Sequence, residues 1–261
     1  MVSLKTVFIK IGGSFITFKD KPFSIDYSAL ENTYKILSRV YKSKKLVVGH
    51  GGGSFAHPIV KAMERGDPCK AIVLCQKATR LLNNLFVNYL VDNGLPMVSI
   101  QTSMLVYLSR DGYRVNVEPI RYALNNGLVP VVYGECIYSE EGVYKVLSTE
   151  ELFKILVPLL KPERIVFIER VGGVYDRDPI VYRDARLIPL INRENYREIT
   201  SLSSRVYGVD VTGGMKSKIE LCIELARDYG VDSIIVSGYN IDDCIKAVVN
   251  GKPSRGTIIT W

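Results

Sequence analysis

Mostly apolar runs of strand length recur along the chain, at residues 7–11, 46–48, 97–100, 128–132, 165–168, 233–237 and 257–259. Short runs rich in Val and Ile fit strands buried on both faces. Between them lie stretches of helical period, 27–41, 78–93 and 216–229. In the last, Ile219, Leu221, Cys222, Leu225 and Ala226 oppose Lys218, Glu220, Glu224 and Asp228, an apolar stripe against a charged face. Strands alternating with helices predict an α/β chain with a mainly parallel sheet covered on both sides.

Two regions depart from that alternation. Between Asp111 and Lys145, β-like pieces at 113–117, 136–138 and 143–146 predict a hairpin that roofs a site. From Pro179 to Asp210 the chain is polar and without period, which reads as a flap or interlobe connection.

The 261 residues are 47% hydrophobic, enough for a substantial core in one large domain or two fused lobes. No apolar run approaches the roughly 20 residues of a membrane-spanning helix. The first strand begins within a few residues of Met1, leaving no room for a secretory signal, so the expected location is cytoplasmic. Five cysteines without a CxxC pair (Cys69, Cys75, Cys136, Cys222, Cys244) indicate neither a disulfide framework nor a zinc site, and are expected to be small buried hydrophobes. The net charge of +7 is spread along the chain without a basic run longer than Lys42-Ser-Lys44-Lys45. It suits an anionic small molecule and does not require nucleic acid.

Three glycine-rich turns carry the candidate chemistry. Lys10-Ile-Gly-Gly-Ser14 leaves the first strand directly; Gly12 and Gly13 let backbone amides approach an anion, Ser14 adds a donor, and Lys10, with Lys19 on the following loop, adds positive charge. The second turn, Gly49-His-Gly-Gly-Gly-Ser-Phe-Ala-His57, holds both histidines of the protein. Three consecutive glycines cost conformational entropy to order, so close approach of a ligand explains them better than packing. His50 is expected to brace the loop, and His57 to contact an anion. The third, Asp210-Val-Thr-Gly-Gly-Met-Lys-Ser-Lys218, opens a helix whose N-terminus favours anions and places Lys218 in its first turns. No stretch reads GxxxxGK[ST], which disfavours the P-loop proteins. Gly51-Gly-Gly53-Ser-Phe-Ala56 formally satisfies a dinucleotide fingerprint, but Cys69-Lys70-Ala71 stands where that fingerprint needs an acid ending the next strand.

In this order the turns resemble the amino-acid-kinase superfamily, and the Ser-Phe-Ala-His element is most similar to the isopentenyl phosphate kinases. The resemblance covers nearly the whole chain. It implies a three-layer sandwich of the acetylglutamate-kinase type in two lobes, 1–160 for the acceptor with the first phosphate turn and 161–261 for the nucleotide. It also implies ATP and Mg²⁺, a small phosphate acceptor, a homodimer, and no nucleic acid or membrane partner. Carried over by position, Lys10, Gly12, Gly13 and Ser14 would bind ATP phosphates, with Gly53 beside the γ-phosphate and Lys19 stabilising the transferring group. Gly52, Gly53, His57 and Thr149 would hold the acceptor. Gly214 and Lys218 would contact the nucleotide from the second lobe, with Tyr175, Asp176 and Asp178 on the adenosine side. Glu150 would orient the lysines. No residue is assigned as a metal ligand, the cation being held mainly by phosphates. The acceptor's prenyl tail is expected against Leu81, Leu82, Leu85 and Phe86.

Three positions depart from the family pattern. Ser148-Thr-Glu150 stands for Ser-Gly-Asp, Tyr133-Gly134-Glu135 for Tyr-Gly-Asp, and Glu169-Arg-Val-Gly-Gly173 for Thr-Asp-Val-Asp-Gly, the last losing two acids and gaining Arg170. They leave open a shifted acceptor, such as another phosphomonoester or a fosfomycin-type phosphonate, or a nucleotide-binding sensor without turnover.

Overall fold

A computed structural model describes residues 4–18, 20–56, 59, 67–206 and 214–261. In chain order the strands are β1 (Thr6–Ile11), β2 (Lys45–His50), β3 (Met97–Ser99), β4 (Val106–Ser109), β5 (Gly112–Val115), β6 (Val129–Tyr133), β7 (Glu135–Tyr138), β8 (Tyr144–Leu147), β9 (Arg164–Glu169), β10 (Val174–Tyr175), β11 (Leu187–Ile188), β12 (Leu190–Ile191), β13 (Asp232–Ser237) and β14 (Thr257–Ile259). The helices are α1 (Gly13–Ile16), α2 (Tyr27–Val40), α3 (Pro68–Asp92), α4 (Thr102–Leu105), α5 (Glu118–Asn125), α6 (Thr149–Leu160), α7 (Tyr196–Val206), α8 (Gly214–Tyr229) and α9 (Ile241–Val249).

Eight strands form one sheet in the order β12-β14-β13-β9-β1-β2-β6-β3. From β13 to β3 every pairing is parallel, and β14 turns antiparallel to β13. Parallel neighbours end on one edge, so the turns after β1, β2 and β9 emerge side by side. The register fixes this, with Ile11 opposite both His50 and Ile168. Such an edge is where open parallel sheets bind ligands.

The pleat sorts side chains between two cores. Val7, Ile9 and Ile11 point to the layer of α2, α3 and α9, where they meet Leu30, Phe86 and Val248. Phe8 points to the other layer with Phe153 of α6 and Ile219 and Cys222 of α8. Each fully buried side chain of this size contributes roughly 2 kcal/mol. Lys10 shares the parity of Phe8, and Glu169 that of Phe167, so both are carried into the α6/α8 layer.

Several expectations from the sequence change. The expected helix 78–93 begins ten residues earlier, at Pro68, where Asp67 accepts from Cys69 N at 3.0 Å and Pro68 occupies the first turn; the small inward residues Ala71, Cys75 and Thr79 give too weak an apolar signal to reveal it. Cys75 and Cys136 are disulfide-bonded and Cys69 is exposed, against the expectation of small buried thiols, which holds for Cys222 and Cys244. The pairing joins α3 to β7 across 61 residues, a separation that no spacing rule detects. Two hairpins, β4–β5 and β7–β8, replace the single one expected. Residues 179–210 include β11, β12 and α7; strands of two residues leave no readable period. Leu82 and Phe86 are core residues, while Leu81 and Leu85 on the other side of α3 are 44% and 37% exposed, so the four do not form one pocket wall.

At the far end of the sheet, Trp261 packs at a ring-centroid distance of 5.7 Å from Tyr196 of α7. The guanidinium groups of Arg193 and Arg227 lie 5.8 and 6.0 Å from its ring centre. This cluster ties α7 to α8.

Among the described residues, no helix is long and apolar enough to cross a membrane.

Candidate active site

Lys10 is the polar member of a buried row, 6% exposed, and an ammonium in that position needs counter-ions. It has two. Its Nζ lies 2.9 Å from Glu169 Oε1 and 3.0 Å from Glu150 Oε1. Glu150 is delivered by the start of α6, where Ser148 and Glu151 form a capping box: Glu151 N donates to Ser148 Oγ and Ser148 N donates to Glu151 Oε2, both at 3.1 Å. The S-x-x-E signature fixes the first turn of the helix, and an acid there is favoured by the helix dipole. Lys218 reaches in from α8 and donates to Glu169 Oε1 at 2.5 Å, with Glu150 Oε1 at 3.9 Å and the Phe167 ring centre at 5.4 Å.

Burial alone would make these carboxyl groups weaker acids, yet the ammonium groups of Lys10 and Lys218 outweigh it. Glu169 is held down at about 2, and Glu150 is also lowered. For Lys10, burial works to lower the pKa, but Glu150 and Glu169 together raise it above the usual lysine value. Lys10 therefore faces the turns as a cation, and both carboxylates stay ionised.

The first two glycine turns interlock. A Cβ on Gly13 would stand 2.4 Å from Gly53 N and 2.8 Å from Gly53 Cα, and Gly53 adopts φ +48 with Thr17 Oγ1 and Gly13 O closing the space around it. Thr17 staples the turns, donating to Gly13 O at 2.7 Å and accepting from Ser54 N at 2.9 Å. Lys10 runs beneath Gly51, whose added Cβ would lie 3.8 Å from Lys10 Cε.

His50 braces the second turn as expected. It is buried, with Nδ1 3.2 Å from Gly51 O and Nε2 3.3 Å from Asn83 Oδ1, and it stacks on Tyr133 at 5.5 Å and 11°. A neutral ring donates to one of these oxygens at a time. Burial lowers its pKa to about 4, so the ring is neutral at ordinary pH. Thr149 is buried behind the same turn, its hydroxyl donating to His50 O at 2.7 Å.

The remaining expected residues fall in two groups. Ser14 is exposed at the mouth of the first turn, Gly52 opens the short helical turn after β2, and Gly214 begins α8 at φ +58. On the opposite flank a cleft of 370 Å³ opens between the ends of β9 and β13, lined by Arg170, Tyr175, Ile180, Tyr239 and Arg255 among others. Tyr175 belongs to that lining, whereas Asp176 and Asp178 order the adjoining loop by accepting from Arg186 N and Ile180 N at 2.9 Å. Lys19, His57, Asp210 and Thr212 lie outside the described residues. Reading the sequence missed Glu169 and Thr17. The available signal for Glu169 was an acid ending the apolar run 165–168, in phase with Phe167.

Among the described residues, no group of three or more His, Cys, Asp or Glu side chains could hold a metal ion, and both carboxylates of the cluster are already paired with ammonium groups.

The chain is 32% identical over 269 residues to the isopentenyl phosphate kinase of Methanothermobacter thermautotrophicus, covering 97% of this chain and 98% of that one. It is 30% identical over 228 residues to the Methanocaldococcus jannaschii isopentenyl phosphate kinase, covering 82% and 85%. A solved isopentenyl phosphate kinase structure superposes with TM-score 0.80 at 28% identity over 98% of this chain and all of the other. The amino acid kinase family model matches residues 5–237, and the chain belongs to that family.

Proposed function

We propose that this protein transfers the γ-phosphoryl group of ATP to isopentenyl phosphate, forming isopentenyl diphosphate and ADP. The observation that carries the reading is that Lys10 and Lys218, from opposite halves of the chain, meet on one oxygen of Glu169 beside the two interlocked glycine turns. Two cations and a set of backbone amides at one sheet edge suit a reaction whose catalysis is alignment and neutralisation of phosphate charge. Two relatives, 30% and 32% identical over most of their length, carry the same activity in their names.

In this reading an ionised oxygen of the acceptor phosphate attacks the γ-phosphorus. The new P–O bond forms as the bridging bond to the β-phosphate breaks, and ADP leaves with the bonding electrons. No general base is needed, because the attacking oxygen carries no proton at neutral pH. Lys10, Gly12, Gly13 and Ser14 hold the donor phosphates, Lys218 and Gly214 reach them from the other lobe, and Lys19 neutralises the transferring group. Gly52, Gly53, His57 and Thr149 hold the acceptor phosphate, and Glu150 orients the lysines. The cleft at Arg170 and Tyr175 takes the nucleoside, flanked by the Asp176–Asp178 loop. Mg²⁺, for which no ligand is assigned on the protein, would come with the nucleotide phosphates and would supply further neutralisation. A division at residue 160, a homodimer and a cytoplasmic location complete the reading.

An ADP-release assay over isopentenyl phosphate, dimethylallyl phosphate, fosfomycin, UMP and acetylglutamate tests it. The highest kcat/KM is expected with isopentenyl phosphate. ADP release at the level of buffer with every acceptor, or a clear preference for another, sinks the assignment. Replacing His57 with Ala is expected to raise the acceptor KM and lower turnover by about a hundredfold, on the scale of ~2.7 kcal/mol.

A further inference from the structure

Glu169 is the one member of the charged cluster to which the mechanism above gives no task. We propose that Glu169 is a positioning residue for phosphoryl transfer, its carboxylate bridging Lys10 and Lys218 so that two cations borne on different elements are held at one fixed separation. The inference rests on the kinase reading and deepens it.

The two ammonium groups arrive by different routes. Lys10 rides a central strand, whereas Lys218 sits near the start of α8, which packs on the face of the sheet that Lys10 enters, on a stem with several rotatable bonds. Left alone, two like charges converging on one point would splay apart. Glu150 hydrogen-bonds Lys10 at 3.0 Å and attracts Lys218 across 3.9 Å, too far for a hydrogen bond. Among the described residues, only Glu169 Oε1 is within hydrogen-bond reach of both, at 2.9 and 2.5 Å.

Glu169 is itself fixed. Its backbone pairs with Ser237 of β13, and its carbonyl accepts from Gly238 N at 2.9 Å. Its second oxygen overlies the first glycine turn, where a Cβ on Gly12 would come within 2.2 Å; Gly12 leaves the space that the carboxylate uses. The donor inventory also closes. Each ammonium has three N–H groups. Among the described residues, Lys10 spends two on Glu150 and Glu169 and Lys218 one on Glu169, so both keep donors for phosphate oxygens. Held far below the usual carboxylate range by its lysine partners despite burial, Glu169 is a fixed negative charge and takes no part as acid or base.

The test compares wild type with Glu169→Gln, Glu169→Asp and Glu169→Thr in kcat, both KM values, the alkaline limb of the pH profile and thermal midpoint. Glu169→Gln is expected to lower kcat on the order of tenfold to a hundredfold with the acceptor KM within about twofold of wild type. Lys10 faces Glu150 of α6, Glu169 of β9, Lys218 of α8 and the neutral His50 of β2. Removing one of its two counter-charges is therefore expected to move any alkaline decline in rate toward lower pH. Glu169→Asp should recover part of the rate, and Glu169→Thr none. An unchanged kcat in Glu169→Gln overturns the proposal. So does a fall in kcat that Glu169→Asp leaves wholly unrecovered, or a fall in kcat/KM that saturating acceptor removes. The ratios are read with whichever acceptor the wild type turns over. A different preferred acceptor thus overturns the substrate assignment alone, whereas wild-type turnover with a variant ratio of one overturns only the role of Glu169.

Discussion

Among the described residues, two ionic clusters gathered on buried carboxylates are built to different ends. In the first, Glu135 at the start of β7 is fully buried and accepts from Arg80 Nε at 2.9 Å and Ser103 N at 2.8 Å, while Arg80 also donates to Ser103 Oγ at 3.3 Å. One carboxylate closes on one guanidinium and one amide, joining α3, α4 and β7. In the second, two carboxylates meet two ammonium groups at the edge of the sheet where the glycine turns emerge. A planar guanidinium suits the first cluster because its donors match a fixed partner, and rotatable ammonium donors suit the second because they can serve a passing one. A buried ion pair is therefore informative about chemistry when its cations keep unspent donors beside an open backbone.

The sharpest way to break the comparison is to remove one cation from each cluster. Lys10→Met is expected to lower kcat about a thousandfold, roughly 4 kcal/mol, as read by ADP release at saturating ATP. Arg80→Met should instead cost about 3 kcal/mol of folding stability by stranding Glu135, with kcat per folded molecule near wild type; denaturant titration and active-fraction kinetics separate the two. Should Arg80→Met abolish turnover in fully folded protein, the division between the clusters fails. Gly13→Ala drives a methyl into the Gly53 backbone and is expected to lower kcat about a hundredfold, near 2.7 kcal/mol, while thermal unfolding still shows a cooperative transition.

The smallest effect concerns His50, which lies between the two clusters. Its folded pKa of about 4 is below the ordinary value of 6.5. The unfolded chain therefore binds the proton more readily, and the stability contributed by the neutral ring is present above pH 6.5 and lost as pH falls through about 4. A His50→Asn variant should show a shallower decline of thermal midpoint over that window than wild type. Parallel curves would mean that the ring is not buried neutral.

What could be read from residues alone was whatever is contiguous in the chain. The turns at Gly12, Gly52 and Gly214, the strand that bears Lys10 and the bracing role of His50 are each set by neighbours in sequence. The partnership of Lys218 with Glu169 was not readable, because it depends on β9 lying beside β1 and on α8 crossing the same face. The change at Glu169-Arg170-Val171-Gly172 counts as lost acids when read as letters. In space its first residue supplies a carboxylate at the cluster's centre. The Cys75–Cys136 bond and the early start of α3 at Pro68 escaped for a related reason: small residues facing inward carry little hydrophobic signal until their neighbours are known.

Trp261 is the single tryptophan of the chain, and it sits where α7 and α8 are tied together. Its fluorescence is thus a built-in optical reporter on the helix that carries Lys218. Any ligand that shifts that helix relative to its neighbour would alter the emission without a dye, a label or an engineered residue.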